Sequence, residues 1–211
     1  MVTLVFSDVH GNLPAFEKMI KQEREVEQYI SLGDIVNYGP WSNECVDLLE
    51  SLNAVKLMGN HEEYFVEGKY PGKNQLVIDF FNICLSNFER MNVIRKYTPS
   101  YEDQNFKFLH TIGNESIFPD TKILHKGKYF IGHSHHQFDR SGSDYRVINV
   151  GSVGQNRKEI NVIHYALYEP ESGSVTLKEL TYDIQPLIQK MRELKYPENC
   201  INYYLGKSFR N

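Results

Sequence analysis

A chain of 211 residues with 23 Lys and Arg against 27 Asp and Glu is mildly acidic, which argues against a surface built to track a nucleic-acid backbone, and it can bury about 70% of its unfolded surface in one domain. No apolar stretch approaches the roughly 20 residues of a membrane span, and the first polar motif follows residues 2–6 so closely that no signal peptide is expected ahead of it. Cys45, Cys84 and Cys200 are odd in number and lack paired spacing, as expected of buried thiols in a reducing, cytoplasmic setting.

Short apolar runs at residues 3–6, 29–32 and 55–58 lack polar alternation and read as strands covered on both faces. Two helical stripes lie between them. Leu13, Phe16 and Ile20 form the first, with Asn12 as N-cap; Cys45, Leu49 and Leu52 form the second, with Ser42 as its cap. A third stripe, Val77, Phe80, Phe81, Cys84 and Phe88, is the most regular. Further apolar runs follow at 106–109, 129–131 and 147–150. This alternation predicts right-handed crossovers and a sheet with helices on both faces, whose ligands collect at the carboxyl ends of the strands.

The last quarter changes character. Residues 161–168 and 174–182 are strand-like, and Glu169-Pro170-Glu171-Ser172-Gly173 between them is turn chemistry. They are expected to pair antiparallel and complete a second sheet. Ile184, Leu187, Ile188, Met191 and Leu194 form a last helical stripe, whereas residues 196–211 carry little pattern. Residues 1–195 are expected to form one domain, with 196–211 as a tail docked on it.

Five of the apolar runs end in metal-binding side chains: Asp8 and His10, Asp34, Asn60, His110, and His133 with His135. Asp, Asn and His are donors that first-row divalent metals accept. In extended chain, residues i and i+2 point the same way, which would let Asp8 and His10, or His133 and His135, serve one site. A carboxylate can bridge two cations, so Asp34 suits the shared ligand. Asn60 adds an oxygen without charge. One metal is assigned Asp8, His10, Asp34 and His135; the other Asp34, Asn60, His110 and His133. Two divalent cations, two carboxylates and a bridging hydroxide leave a charge of about +1, suited to an anionic phosphate. His61, beside Asn60, is expected to protonate the leaving oxygen or stabilise phosphoryl charge, with Glu62 orienting its ring.

These motifs, in this order, resemble the calcineurin-like metallophosphoesterases: Asp8-x-His10, Gly33-Asp34, Gly59-Asn60-His61-Glu62, His110 and Gly132-His133-x-His135. His10-Gly-Asn-Leu13, the segment from Asn149 to Gln155, and His164-Tyr-Ala-Leu-Tyr168 look like its small prokaryotic phosphodiesterase branch. The resemblance implies a two-sheet α/β sandwich with flanking helices in four layers, and two divalent metals (manganese, iron, zinc or nickel). In two places the chain departs from the pattern. Protein phosphatases of the family carry an Asp-Arg pair where this chain has Val36-Asn37-Tyr38-Gly39, which argues against a protein phosphatase. Thr111 follows His110 where the family usually has Gly.

Around the motifs, Tyr38 and Trp41, and likewise Tyr64 and Phe65, are candidates to stack a base or aryl group. Arg157 is a candidate phosphate contact. His125, His136 and His164 fit no ligand slot and read as structural or surface residues. The function expected is hydrolysis of phosphodiesters or small nucleotides through a metal-bridging hydroxide. Alternatives are a phosphomonoesterase or a dinucleoside polyphosphate hydrolase, and, from a different class, a non-catalytic interaction scaffold of the same fold. A small phosphoester is the expected partner, with no membrane and an oligomer possible.

Overall fold

The computed structural model describes residues 1–113 and 115–210. Among them are two mixed sheets. The first runs in the order β10 (Ser174–Thr181), β9 (Val162–Glu169), β1 (Thr3–Phe6), β2 (Gln28–Ser31), β3 (Ala54–Lys56). The second runs β4 (Ser100–Glu102), β5 (Lys107–Leu109), β6 (Gly127–Ile131), β8 (Tyr145–Asn149), β7 (Phe138–Ser141). The 161–182 hairpin does pair antiparallel, but β9 joins β1 and so completes the first sheet. Local pattern shows that two strands pair with each other. It does not show which edge receives them.

The apolar runs lack polar alternation because both faces of their strands are covered. In β1, Leu4 and Phe6 face one core and Val5 the other. The core between the sheets holds Val5, Ile30, Phe108, Phe130, Ile148 and Tyr168, with the Phe108 and Phe130 rings stacked at 4.9 Å. Helices α1 (Leu13–Gln22), α2 (Ser42–Glu50), α3 (Asn60–Glu67), α4 (Gln75–Ser86), α5 (Met91–Ile94), α6 (Gln185–Glu193) and α7 (Glu198–Leu205) all send buried apolar residues into the core on the outer face of the first sheet. The expected sandwich with flanking helices is present. Among the described residues, the cover on the second sheet's outer face comes from Ile112 and Ile117, in the segment after β5, and not from a helix.

Asn12 caps α1 as expected, accepting from Ala15 N at 3.3 Å. Ser42 does not cap α2; it is the first helical residue, and its Oγ accepts from the Asn37 backbone instead. Phe88 lies past the end of α4 but still packs on the same core. The 196–211 segment contains α7, whose Cys200, Ile201 and Tyr204 are buried against the helical core. No helix is long and apolar enough to cross a membrane among the described residues.

Candidate metal centre

The loops that follow β1, β2, β3, β5 and β6 meet at one edge, tied by backbone hydrogen bonds. Asp8 N donates to Gly33 O at 3.0 Å, His10 N to Asp34 O at 2.9 Å and Gly132 N to His110 O at 3.0 Å. These loops do not continue as extended chain. Asp8, His10, Asp34, His133 and His135 all have φ between 51° and 66°, the left-handed region that side chains other than Gly seldom occupy. The i, i+2 argument therefore fails for Asp8 and His10 and for His133 and His135. Both pairs converge because left-handed residues turn the chain twice within three positions.

Each carboxylate is anchored by one oxygen and presents the other. Asp8 Oδ2 accepts from His133 N at 3.0 Å, and Asp34 Oδ1 accepts from His61 N at 2.9 Å, at the start of α3. Asp8 Oδ1 is left without a hydrogen-bond donor although fully buried. It lies 3.1 Å from His135 Nε2 and 3.6 Å from His10 Nε2. Asp34 Oδ2 lies 3.2 Å from His110 Nε2 and 3.8 Å from His10 Nε2, and so stands between two groups of donors.

The imidazole tautomers sharpen this picture. Carbonyl oxygens of Val36, Leu32 and Gln155 face Nδ1 of His10, His110 and His135 at 3.2, 3.0 and 2.8 Å. A carbonyl only accepts, so in the neutral ring the hydrogen sits on Nδ1 and the Nε2 lone pair faces inward. His10 Nε2 and His135 Nε2 then lie 3.2 Å apart, and His110 Nε2 lies 3.0 Å from Asn60 Oδ1. His133 Nδ1 lies 2.8 Å from the same oxygen. So many lone pairs at contact distance, with an orphaned carboxylate oxygen, require positive charge between them. Divalent cations fit this donor set. Without one, the site demands a proton: burial opposes charge on His110, but Asp34 overrides it and raises its pKa to about 10.

Ligand-capable atoms within 4.8 Å of one another form the groups Asp8–His10–His135, Asp34–His110–His133 and His10–Asp34–His61. The seven residues expected from sequence are thus brought together, with Asn60 beside the second group. Glu62 does not orient His61. Its carboxylate accepts four backbone N–H groups instead, from Asp34, Ile35, Val36 and Gly59, at 2.7 to 3.1 Å. Asn37, and not Glu62, holds the His61 ring.

A cavity of about 300 Å³ opens over the donors and is lined by Asp34, His61, His133, Tyr38, Tyr64 and Arg157 among others. Tyr38 and Arg157 therefore both reach it. The Tyr38 ring is already packed on Phe80, His10 and His61 at 4.8 to 5.3 Å, leaving only part of it for a ligand. Arg157 donates to Tyr203 OH at 2.7 Å, a partner supplied by α7. Trp41 does not line the cavity, and Phe65 belongs to the core. His136 lines the wall, against Phe118, and was missed as a cavity residue; its position beside His135 was the available signal. His125 and His164 lie outside it.

A two-sheet sandwich that gathers such donors at the carboxyl ends of its strands defines a metallophosphoesterase fold. The chain belongs to the calcineurin-like phosphoesterase family, whose model matches residues 1–185. It is 30% identical to an uncharacterized protein of Methanocaldococcus jannaschii, over 92% of this chain and 93% of that one. The structure of a metallophosphoesterase from Sphaerobacter thermophilus superposes with a TM-score of 0.77 at 25% identity, covering 97% of this chain and 98% of that one. A hypothetical protein from Pyrococcus horikoshii OT3 gives 0.81 at 17% identity, covering 96% and 97%, and shows the shared fold.

Proposed function

We propose that this chain is a dinuclear-metal-dependent phosphoesterase acting on phosphodiesters or small nucleotides. The observation that carries it is the pair of donor groups on either side of Asp34, open to one cavity. Asp8, His10, Asp34 and His135 would hold one cation; Asp34, Asn60, His110 and His133 the other. When bound, such cations polarise phosphoryl oxygens and lower the pKa of water. The chain's own residues then divide the remaining tasks. His61 meets oxygens of the phosphoryl or leaving group, and Arg157, steadied by Tyr203, supplies a fixed cation at the cavity wall.

A second cavity, of about 630 Å³, meets the first at Asn60, Tyr64 and His133 and is lined further by Ser100, Lys107 and Thr111. Two lobes about one phosphorus suit a substrate with an arm on each side, which favours diesters and dinucleoside polyphosphates over monoesters. Three buried, unpaired thiols support a reducing, cytoplasmic location.

Assays with bis(p-nitrophenyl) phosphate and p-nitrophenyl phosphate across manganese, iron, zinc and nickel test the reading. The diester is expected to turn over faster. A faster monoester would remove the two-arm argument, and inertness toward both with every metal would revive the scaffold.

A further inference from the structure

The imidazoles at the centre differ in what faces their Nδ1. In His10, His110 and His135 it is a backbone carbonyl, and the inward Nε2 is a lone pair. His61 is arranged the other way. Its Nδ1 lies 2.8 Å from Nδ2 of Asn37. Which end of the Asn37 amide is nitrogen is decided by its other contact, where the backbone N–H of Tyr38 meets Oδ1 at 2.8 Å. A backbone N–H only donates, so the oxygen must face Tyr38 and the NH2 must face His61. The Asn37 side chain is fully buried, and its backbone N–H is tied to Ser42 Oγ at 3.1 Å. Its φ of 74° is left-handed, a conformation that Asn tolerates better than most residues.

We propose that Asn37 is a positioning residue that sets His61 as the neutral tautomer with its hydrogen on Nε2, making His61 a hydrogen-bond donor to substrate oxygens and not a metal ligand. The NH2 of Asn37 donates, so Nδ1 must accept and cannot carry the hydrogen. Nε2 is the ring nitrogen left for the cavity that His61 lines. A nitrogen of His61 lies within 4.8 Å of donors on His10 and Asp34, close enough to suggest a third ligand group. A ring nitrogen that carries hydrogen has no in-plane lone pair for a cation. This contrast separates His61 from His10, His110 and His135 without reference to any motif.

The chemical consequence rests on the phosphoesterase reading. A neutral imidazole N–H donates a hydrogen bond but does not hand over its proton to an alkoxide-like oxygen with useful ease. In hydrolysis, a P–O bond forms from water and the P–O bond to the leaving group breaks. The bonding pair leaves on the leaving oxygen, whose charge the His61 N–H stabilises. The proton from water passes to solvent, and solvent later neutralises the leaving group. Such a site suits leaving groups that are stable as anions, such as aryl oxides or the phosphate of an anhydride, over simple alkyl alcohols.

Long-range ¹H–¹⁵N correlation spectra of the imidazoles test the tautomer directly, in the metal-free and zinc-loaded protein, with His61→Gln to identify the His61 signals. The expected wild-type pattern is a pyridine-type Nδ1 and a pyrrole-type Nε2, unchanged by zinc. Hydrogen on Nδ1, or a zinc-induced change typical of a ligand at Nε2, overturns the assignment. Asn37→Asp exchanges an NH2 for an acceptor oxygen of the same shape, and should put a second hydrogen on Nδ1, giving an imidazolium whose Nε2 hydrogen can be transferred. Should that variant not fold, the wild-type spectra decide the matter alone.

Turnover of p-nitrophenyl, phenyl and alkyl diesters tests the consequence. Wild type should discriminate steeply by leaving group, and Asn37→Asp should narrow the aryl-to-alkyl ratio by roughly tenfold or more, part of the 10²–10⁴-fold that a positioned acid supplies. Equal wild-type turnover of aryl and alkyl esters overturns the donor role. If no ester is hydrolysed with any metal, the phosphoesterase reading and this consequence fall together, while the spectra still judge Asn37.

Discussion

Saturating the metal-free protein with manganese is expected to raise its melting temperature by about 10 °C or more. A ligand held at a hundredfold its dissociation constant contributes about 2.7 kcal/mol per site, and two sites roughly double that. For a chain of this size each kcal/mol shifts the midpoint by about 2–4 °C. The structural reason is the crowding of lone pairs: Asp8 Oδ1 has no donor, and His10 Nε2 and His135 Nε2 face each other at 3.2 Å. Folding without cations brings these groups together uncompensated. Asp34 stands between both donor groups, so Asp34→Asn should remove more than half of the shift. Differential scanning calorimetry with and without the metal decides it, and a full shift in the variant would mean that Asp34 is not shared.

Glu62→Ala should be among the most destabilising single substitutions in the chain, costing about 4 kcal/mol or more. The Glu62 side chain is fully buried, and its two oxygens accept the N–H groups of Asp34, Ile35, Val36 and Gly59. A buried donor left unsatisfied costs about 1–3 kcal/mol, and four would be orphaned together. Relaxation and water entry reduce the sum, but it still lies beyond the usual range of single substitutions. Glu62→Gln keeps one acceptor and turns an NH2 toward two N–H groups, so it should lose about half as much. Urea titration of the three proteins measures the order. A Glu62→Ala protein within 1 kcal/mol of wild type, roughly a fivefold change in the folding constant, would show that the carboxylate does not hold the loops.

The two effects explain why some of the site was legible in the sequence and some was not. The seven donor residues end apolar runs, and both donor type and strand ends are visible in a string of letters. The role of Glu62 was not, because its partners are backbone N–H groups from a loop 26 to 28 positions away. Helix α3 was missed for a related reason. It begins at Asn60 itself, and of its residues His61, Glu62 and Phe65 are buried, so polar site residues occupy most of the face that would otherwise show an apolar stripe. Asn37 stood in plain view as a departure from the protein-phosphatase pattern, but its contact with His61 crosses from the loop after β2 to the first turn of α3. Helix α7 gave little pattern because part of its inner face is polar: Tyr203 and Tyr204 turn hydroxyls to Gln155, and Tyr203 also meets Arg157.

Left-handed φ at five donor residues also bears on how such a site is lost. Most non-glycine residues held there pay up to about 1–2 kcal/mol, Asp and His less than bulkier ones, and Asp8, His10, Asp34, His133 and His135 carry some of that burden together. A descendant released from metal binding would become more stable by exchanging these residues for glycine or asparagine, so mutation would not leave the motif intact by drift. Decay should therefore have a direction. In a sequence of this fold, glycine at the positions of His10 or His135 is the expected companion of lost cation binding.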